Sequence, residues 1–454
     1  MAAAATGTFQ AGTINVSRVL DERPLNGFQI GIVAMSALVA LMDGFDTQSI
    51  GFTAPALTAK FNLQPSMLGP VFSAGLFGAM IGALLLGPIC DRFGRKRPLI
   101  FATCWFAVFT LATVLITSYE QLLACRFLAG LGLGGAIPCI VALTSEYVST
   151  RRRSLAIATL WAAFPLGGMI GGFSSAWLIP THGWQSVFIV GGIVPLIAAL
   201  ILALFLPESL RFLVARQDEH ARSVAIMRKL APEVPAATGY TVEEERVTGA
   251  PSGALFRDRR APVTLLLWLA FFIVFMILAV ITLWTPSLMR QMGLTAATGA
   301  LLIGANNLGS AIGTASCGAL LGRFNPFVVL GIAYVAGGGL LVPIAYLGDY
   351  PVVMGAVLVL CGVFLGAASG GTIVLAAQAY PTLIRSTGVG WGMAMGRCGQ
   401  VIGPLIAGAM VSAGLTIGPV FIALALASIV GSIAILTLKG ALETRRRQME
   451  VSHA

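Results

Sequence analysis

Asp43-Gly44-Phe45-Asp46 stands inside a long apolar run, where a carboxylate is costly unless it meets a cavity or a partner. The two acids are three residues apart and share one face of a helix. Arg126 sits near the start of a second apolar run, and Arg397 in the middle of a third. If these runs cross a bilayer, a rise of about 1.5 Å per residue places the aspartates roughly 22 to 27 Å from the start near Phe28. Arg126 then lies roughly 9 Å from the opposite boundary, so the three groups meet at one depth in a core about 30 Å thick. Two acids beside one arginine admit two readings. In one, an anion competing for Arg126 releases a carboxylate to take up a proton; in the other, the charges form a permanent structural pair. His182, His220 and His453 fall in loops or the tail, so a protonation step within the membrane must use carboxylates, and Glu146 is a further candidate.

Arg397 lies about 17 Å from the start of its run, and no acidic residue occurs in any of the last six apolar runs. An isolated cation there calls for an anionic ligand, unless backbone carbonyls satisfy it as a helix stabiliser. A guanidinium forks two hydrogen bonds to a carboxylate, which an ammonium does less well. Gln400 is one turn away, and Asn306 and Asn307 are further donors for ligand hydroxyls. Trp391, Trp161, Phe164, Phe45 and Trp284 offer ring contacts, or pack as most intramembrane aromatics do.

The elements that position these groups are membrane helices. Of 454 residues, 57% are hydrophobic and only 10% charged, and the mean hydropathy is +0.90, too little polar surface for a soluble globule. Twelve runs are long enough to span: 27-53, 66-90, 97-117, 120-144, 153-178, 184-206, 261-287, 296-322, 325-347, 351-378, 384-413 and 416-438. They predict an all-α membrane protein of twelve transmembrane helices in two six-helix halves, 27-206 and 261-438. A tail at 1-26, a central loop at 207-260 holding Glu243 to Glu245, and a tail at 439-454 complete the chain. Met1 to Pro24 lacks the basic and apolar regions of a signal peptide, so the first run is expected to remain in the membrane.

Basic residues orient the chain. With both termini cytoplasmic, the inner segments hold 24 of the 28 lysines and arginines, and only Lys60 and Arg290 fall outside. Topology therefore accounts for the net charge of +10 and leaves nothing for a nucleic acid to explain. The seven cysteines show no metal-ligand spacing and are read as packing residues. No cofactor or metal is expected. The halves echo one another: Glu146-Tyr147 with Arg152 matches Ala379-Tyr380 with Arg385, and Gly87 to Arg92 has a weaker counterpart in Gly318 to Arg323. Between the second and third runs stands Gly87-Pro-Ile-Cys-Asp91-Arg92-Phe-Gly94-Arg95-Lys96-Arg97. Its glycines permit close backbone approach and its charges can clasp helix ends, which points to conformational control.

That loop closely resembles the signature of the major facilitator superfamily. Further segments resemble its aromatic acid:proton symporter family, which includes benzoate and 4-hydroxybenzoate carriers: Leu20-Asp-Glu-Arg-Pro24, Asp43-Gly-Phe-Asp-Thr-Gln48, Phe72-Ser-Ala-Gly-Leu-Phe-Gly78, Arg126-Phe-Leu-Ala-Gly-Leu-Gly-Leu-Gly-Gly135, and Tyr380-Pro-Thr-Leu-Ile-Arg-Ser-Thr-Gly388 with Gly396-Arg397. The resemblance covers about residues 15 to 440. It implies proton-driven uptake of a benzoate-type acid by alternating access across a bacterial inner membrane, without an enzymatic role, and a monomer is the expected form. It marks Asp43, Asp46, Arg126, Glu146, Arg385 and Arg397 as sensitive positions. Two features depart from the pattern. Gly322 replaces the acid of the repeated loop signature, and Ala163-Phe-Pro165-Leu-Gly-Gly168 stands where antiporters carry Gly-x-x-x-Gly-Pro. The remaining alternatives are a carrier of sugar acids or aliphatic carboxylates, a drug/proton antiporter, and a membrane enzyme or receptor.

Overall fold

A computed structural model describes residues 13–216, 220–232, 239–241, 252–257, 260–381 and 384–452. Glu243 to Glu245, His453 and the Thr382-Leu383 step of the resemblance lie outside the described residues. Within them are twelve long helices: α1 (Gly27–Phe61), α2 (Leu68–Phe93), α3 (Lys96–Ala112), α4 (Tyr119–Tyr147), α5 (Thr150–His182), α6 (Gln185–Phe205), α7 (Ala261–Gln291), α8 (Ala296–Arg323), α9 (Pro326–Gly339, continued by Leu341–Ile344), α10 (Pro351–Ala379), α11 (Arg385–Ser412) and α12 (Ile417–Ser452). Eleven are long and apolar enough to cross a membrane. The twelfth, α8, is diluted by Asn306, Asn307, Ser310 and several glycines; it packs between α5 and α10 and keeps Leu301, Leu308 and Ile312 exposed on its outer face. The fold is all-α, two six-helix halves. The last helix runs on well beyond residue 438, so most of the expected C-terminal tail is helical.

Local signals explain where helices begin. Asn26 and Gln29 form a capping box at the start of α1, satisfying two otherwise orphaned N–H groups. Asn62 ends that helix in the left-handed region, at φ 48°, which a short polar side chain tolerates. The chain before α1 does not hang free: strand β1 (Thr13–Asn15) pairs in parallel with β2 (Gly239–Thr241) of the central segment. Asp21 then accepts from the backbone N–H of Thr150 at 2.6 Å, capping α5.

Without a hydrophobic force between helices in lipid, close approach depends on small residues. On α4, a Cβ at Gly134 would collide with the Ala79 carbonyl of α2; on α8, one at Gly309 would collide with the Val359 carbonyl of α10. These equivalent pairs, α2 with α4 and α8 with α10, are the structural form of the sequence echo. Tyr147 and Tyr380, the echoed tyrosines, are both buried. The first donates to the Glu208 carbonyl and the second to Thr264 Oγ1 at 3.1 Å.

The halves meet at the end opposite the Gly87–Arg97 loop. There Ser73 Oγ of α2 donates to the Val401 carbonyl of α11 at 2.7 Å, and Trp284 Nε1 of α7 donates to the Pro404 carbonyl at 3.2 Å. Gly69 lies against Gly408, and Gly51 against Leu283. Outward faces stay apolar, as at Leu200 and Leu204 of α6 or Leu426 and Ile433 of α12. One cysteine reading is corrected. Cys90 and Cys139 form a disulfide between α2 and α4, with Cα atoms 6.2 Å apart. Both are buried where the two helices converge.

Candidate functional site

A cavity of ≈ 1370 Å³, counted to its open mouth, lies between the halves. Asp43, Asp46 and Gln48 reach it from α1, Arg126 from α4, Trp161 and Phe164 from α5, Asn307 from α8, and Arg397 and Gln400 from α11. The i, i+3 spacing does aim both aspartates inward, and each is almost fully buried.

The two acids do not share one arginine. Asp46 Oδ2 lies 3.6 Å from Arg126 Nη1, too long for a strong hydrogen bond. Asp46 Oδ1 accepts from Thr110 Oγ1 at 2.7 Å, and Arg126 Nη2 donates to Thr113 Oγ1 at 2.8 Å. Thr110 stands in the last turn of α3 and Thr113 in the short turn that follows it, so the end of one segment holds acid and base slightly apart. The guanidinium also lies 5.0 Å from the Phe188 ring centroid, a favourable face for a cation. Asp46 Oδ2 and Arg126 Nε remain without a hydrogen bond.

Asp43 belongs to a different pair. Thr47 donates to its Oδ1 at 3.1 Å, and the opposing charge it feels is Arg397, from the other half of the molecule. The expectation that Arg397 lacks an acidic counterpart is thereby corrected: the last six helices supply none, but α1 does. Among the described residues no carboxylate approaches Arg397 within 4.0 Å and none accepts a hydrogen bond from it. It is half-buried, with its surface turned to the cavity.

Other candidates separate cleanly. Asn307 and Gln48 exchange amide hydrogen bonds of 2.7 and 3.2 Å across the halves. Asn306 is bonded to the Leu358 carbonyl at 3.0 Å and does not line the cavity. Phe45 packs against Gly171 and Gly191, because position 45 faces away from the Asp43/Asp46 side. Trp391 is exposed and stacked on Trp268, with centroids 5.6 Å apart, outside the cavity. Trp284 is fully buried against Phe72. The rings that do line the space are Trp161, Phe164, Phe72 and Phe275. Thr110, Thr113 and Phe275 were not singled out by sequence, since hydroxyls and rings are common in apolar helices and only contact distinguishes them.

Glu146 is not in the cavity. Its Oε1 pairs with Arg95 Nη2 at 2.9 Å, and Asp91 stands 3.4 Å from the same nitrogen. Glu208, which sequence reasoning passed over, accepts from the backbone N–H groups of Arg95 and Lys96 at 2.7 and 3.1 Å. An anion at the first turn of α3 suits the helix dipole. Gly94 has φ 89°, and a side chain there would run into the Glu208 carboxylate. Gly87 contributes no close approach, since a Cβ would meet open space. Arg92 lies over the Phe93 ring at 5.5 Å. Arg385 opens α11 on the exposed surface.

The profile of the Major Facilitator Superfamily matches residues 36–382. The gallate transporter of Pseudomonas putida is 38% identical over 424 residues, covering 93% of this chain and 94% of that one. The 4-hydroxybenzoate transporter PcaK of Pseudomonas aeruginosa is 36% identical over 430 residues, covering 94% and 96%. Among solved structures, the partially occluded inward-open xylose transporter XylE of E. coli superposes with a TM-score of 0.72 at 18% identity, over 90% of this chain and 97% of that one.

Proposed function

This chain belongs to the major facilitator superfamily, and on that footing we propose that it imports an aromatic carboxylate of the benzoate or hydroxybenzoate type together with protons by alternating access. The carrying observation is Arg397: a cavity-lining guanidinium with no hydrogen-bonded protein partner among the described residues, flanked by ring-bearing helices. Desolvating a cation without an acceptor is costly, and a ligand carboxylate offers both of the acceptors that the fork requires. Trp161 and Phe164 offer faces for the ring, and the Gln48–Asn307 amide pair lines the same cavity for ring hydroxyls. The relatives that carry gallate and 4-hydroxybenzoate support the aromatic class.

Proton coupling follows from the two acid–base pairs. An anion arriving at Arg397 weakens the field that favours the charged form of Asp43, so Asp43 takes a proton as the substrate binds. Asp46 and Arg126, held 3.6 Å apart by threonines, form a second adjustable pair that loosens without breaking a short hydrogen bond. With the far end sealed and the termini, the central segment and most of the basic residues at the other end, the cavity faces the cytoplasm of a bacterial inner membrane in this reading. One chain encloses the whole cavity, which supports a monomer as the working unit.

The test is uptake of 4-hydroxybenzoate into proteoliposomes with and without an inward proton gradient, for the parent, Asp43→Asn and Arg397→Lys. Gradient-driven accumulation is expected in the parent and near loss in both variants. Equal uptake by all three removes the site assignment, while competition by gluconate but not by benzoate moves the substrate to the sugar acids.

A further inference from the structure

Away from the central cavity, a second recess of ≈ 1250 Å³, counted to its mouth, lies between the start of α3, the end of α6 and the short helices Leu210–Arg216 and His220–Leu230. Among the described residues five cations line it, Lys96, Arg97, Arg216, Arg222 and Lys229, against one carboxylate, Glu208. That carboxylate is already engaged: Oε1 accepts from the backbone N–H groups of Arg95, Lys96 and Ser209. Three of the cation heads are steadied by uncharged groups. Lys96 Nζ donates to the Ala203 carbonyl at 2.8 Å, Arg216 Nη2 donates to the Arg92 carbonyl at 3.0 Å, and Lys229 lies 5.6 Å from the Phe28 centroid. A bias of basic residues toward one side of a membrane explains charges spread over loops. It gives no reason for five to converge on one walled recess.

The rim adds an independent indication. Phe93, Leu204 and Phe205 are 51%, 67% and 68% exposed at the recess mouth, and Leu204 continues the bare apolar face of α6 through Leu200 and Ile197. A free anion in water makes no use of such a rim, whereas a phospholipid does. We propose that the recess binds the headgroup of an anionic phospholipid, its phosphate among Arg97, Arg222 and Lys229 and its acyl chains along Leu204 and Leu200. Basic recesses beside membrane helices take such headgroups. The bound lipid ties α3 and α6 to the His220–Leu230 helix, whose Lys229 and Leu230 carbonyls hold Asn26 just before α1.

Inorganic phosphate shares the headgroup chemistry, so the test separates the two. Native mass spectrometry of the detergent-purified full chain is titrated with phosphatidylglycerol, phosphatidylcholine and inorganic phosphate. Phosphatidylglycerol is expected to occupy one site tightly, phosphatidylcholine to bind far more weakly, and phosphate at equal concentration to leave the lipid in place. The triple exchange Arg97→Gln, Arg222→Gln, Lys229→Gln should weaken phosphatidylglycerol by at least about tenfold. Arg151→Gln with Arg152→Gln, exposed cations at the same end but outside the recess, should leave it unchanged. Where the triple variant does not fold, Arg97→Gln alone carries the same expectation with a smaller shift. The proposal is overturned by equal affinity for the two lipids, by equal losses in the two sets of variants, or by displacement with phosphate alone.

Discussion

The two halves repeat one architecture and treat charge in opposite ways. In the first half three described carboxylates at or near the bundle interior have a cation or hydrogen-bond donors within that half: Asp46 has Arg126 and Thr110, Glu146 has Arg95, and Glu208 has the first N–H groups of α3. Among the described residues, Arg397 is the one cation that the second half gives the cavity wall, and the opposing charge it meets, Asp43, belongs to the other half. Asp43 apart, the first half thus holds a self-contained network, while the second holds a charge that is answered only across the interface. A moving interface therefore changes the electrostatics of Asp43 and Arg397 far more than those of Arg95 and Glu146.

Breaking the cross-interface side of that comparison has the largest expected effect. Arg397→Lys keeps the charge and loses the fork, and should lower initial uptake of 4-hydroxybenzoate by about a hundredfold, measured with radiolabelled substrate in proteoliposomes. Retained uptake would place the carboxylate elsewhere. Asp43→Asn should abolish accumulation against a gradient yet leave substrate exchange between preloaded and external pools within about tenfold of the parent, because binding at Arg397 survives while its proton partner does not. Loss of exchange as well would make Asp43 a binding or structural group instead.

Effects in the self-contained half are expected in stability. Asp46→Asn leaves Arg126 buried without its counterion and should cost about 3 to 5 kcal/mol, read as a lowered melting temperature in detergent; the double exchange Asp46→Asn, Arg126→Gln should recover part of it. Overpacking tests the architectural equivalence itself. Gly134→Val and Gly309→Val meet the facing carbonyls of Ala79 and Val359, and each should lower stability by about 1 to 3 kcal/mol, in similar measure if the two helix pairs are equivalent. The smallest effect is expected for Trp391→Ala, which removes an exposed ring stacked on Trp268 and should leave uptake within about twofold of the parent, the size of an ordinary surface change.

Much of this was legible before folding. The periodicity-free apolar runs, their polar break at 207-260 and the bias of basic residues define twelve helices in two sets, since a helix in lipid must satisfy its backbone within itself and needs a fixed length. The positions of Asp43, Asp46, Arg126 and Arg397 were equally legible, because a charge in hydrocarbon is too costly to be accidental. Their partners were not. Linear depth brought Asp43 and Asp46 equally close to Arg126, but the 100° turn per residue of α1 sends them to different neighbours. The same rotation carries Phe45 into the α5–α6 packing and leaves Asn306 on the α10 side while Asn307 enters the cavity.

By itself, then, the sequence determined the solvent, the span count and the set of costly charges, all of which depend on composition and on distance along one helix. Only the tertiary structure decided that Asp43 answers Arg397, that Asp46 answers Arg126, that Glu146 leaves the cavity for Arg95, and that Glu208 and five cations converge at the end of α6. The physical reason is that Coulomb energy and hydrogen bonding depend on distances of a few ångströms between different helices, and those distances are set by how twelve helices rotate and pack, which no property of a single segment contains.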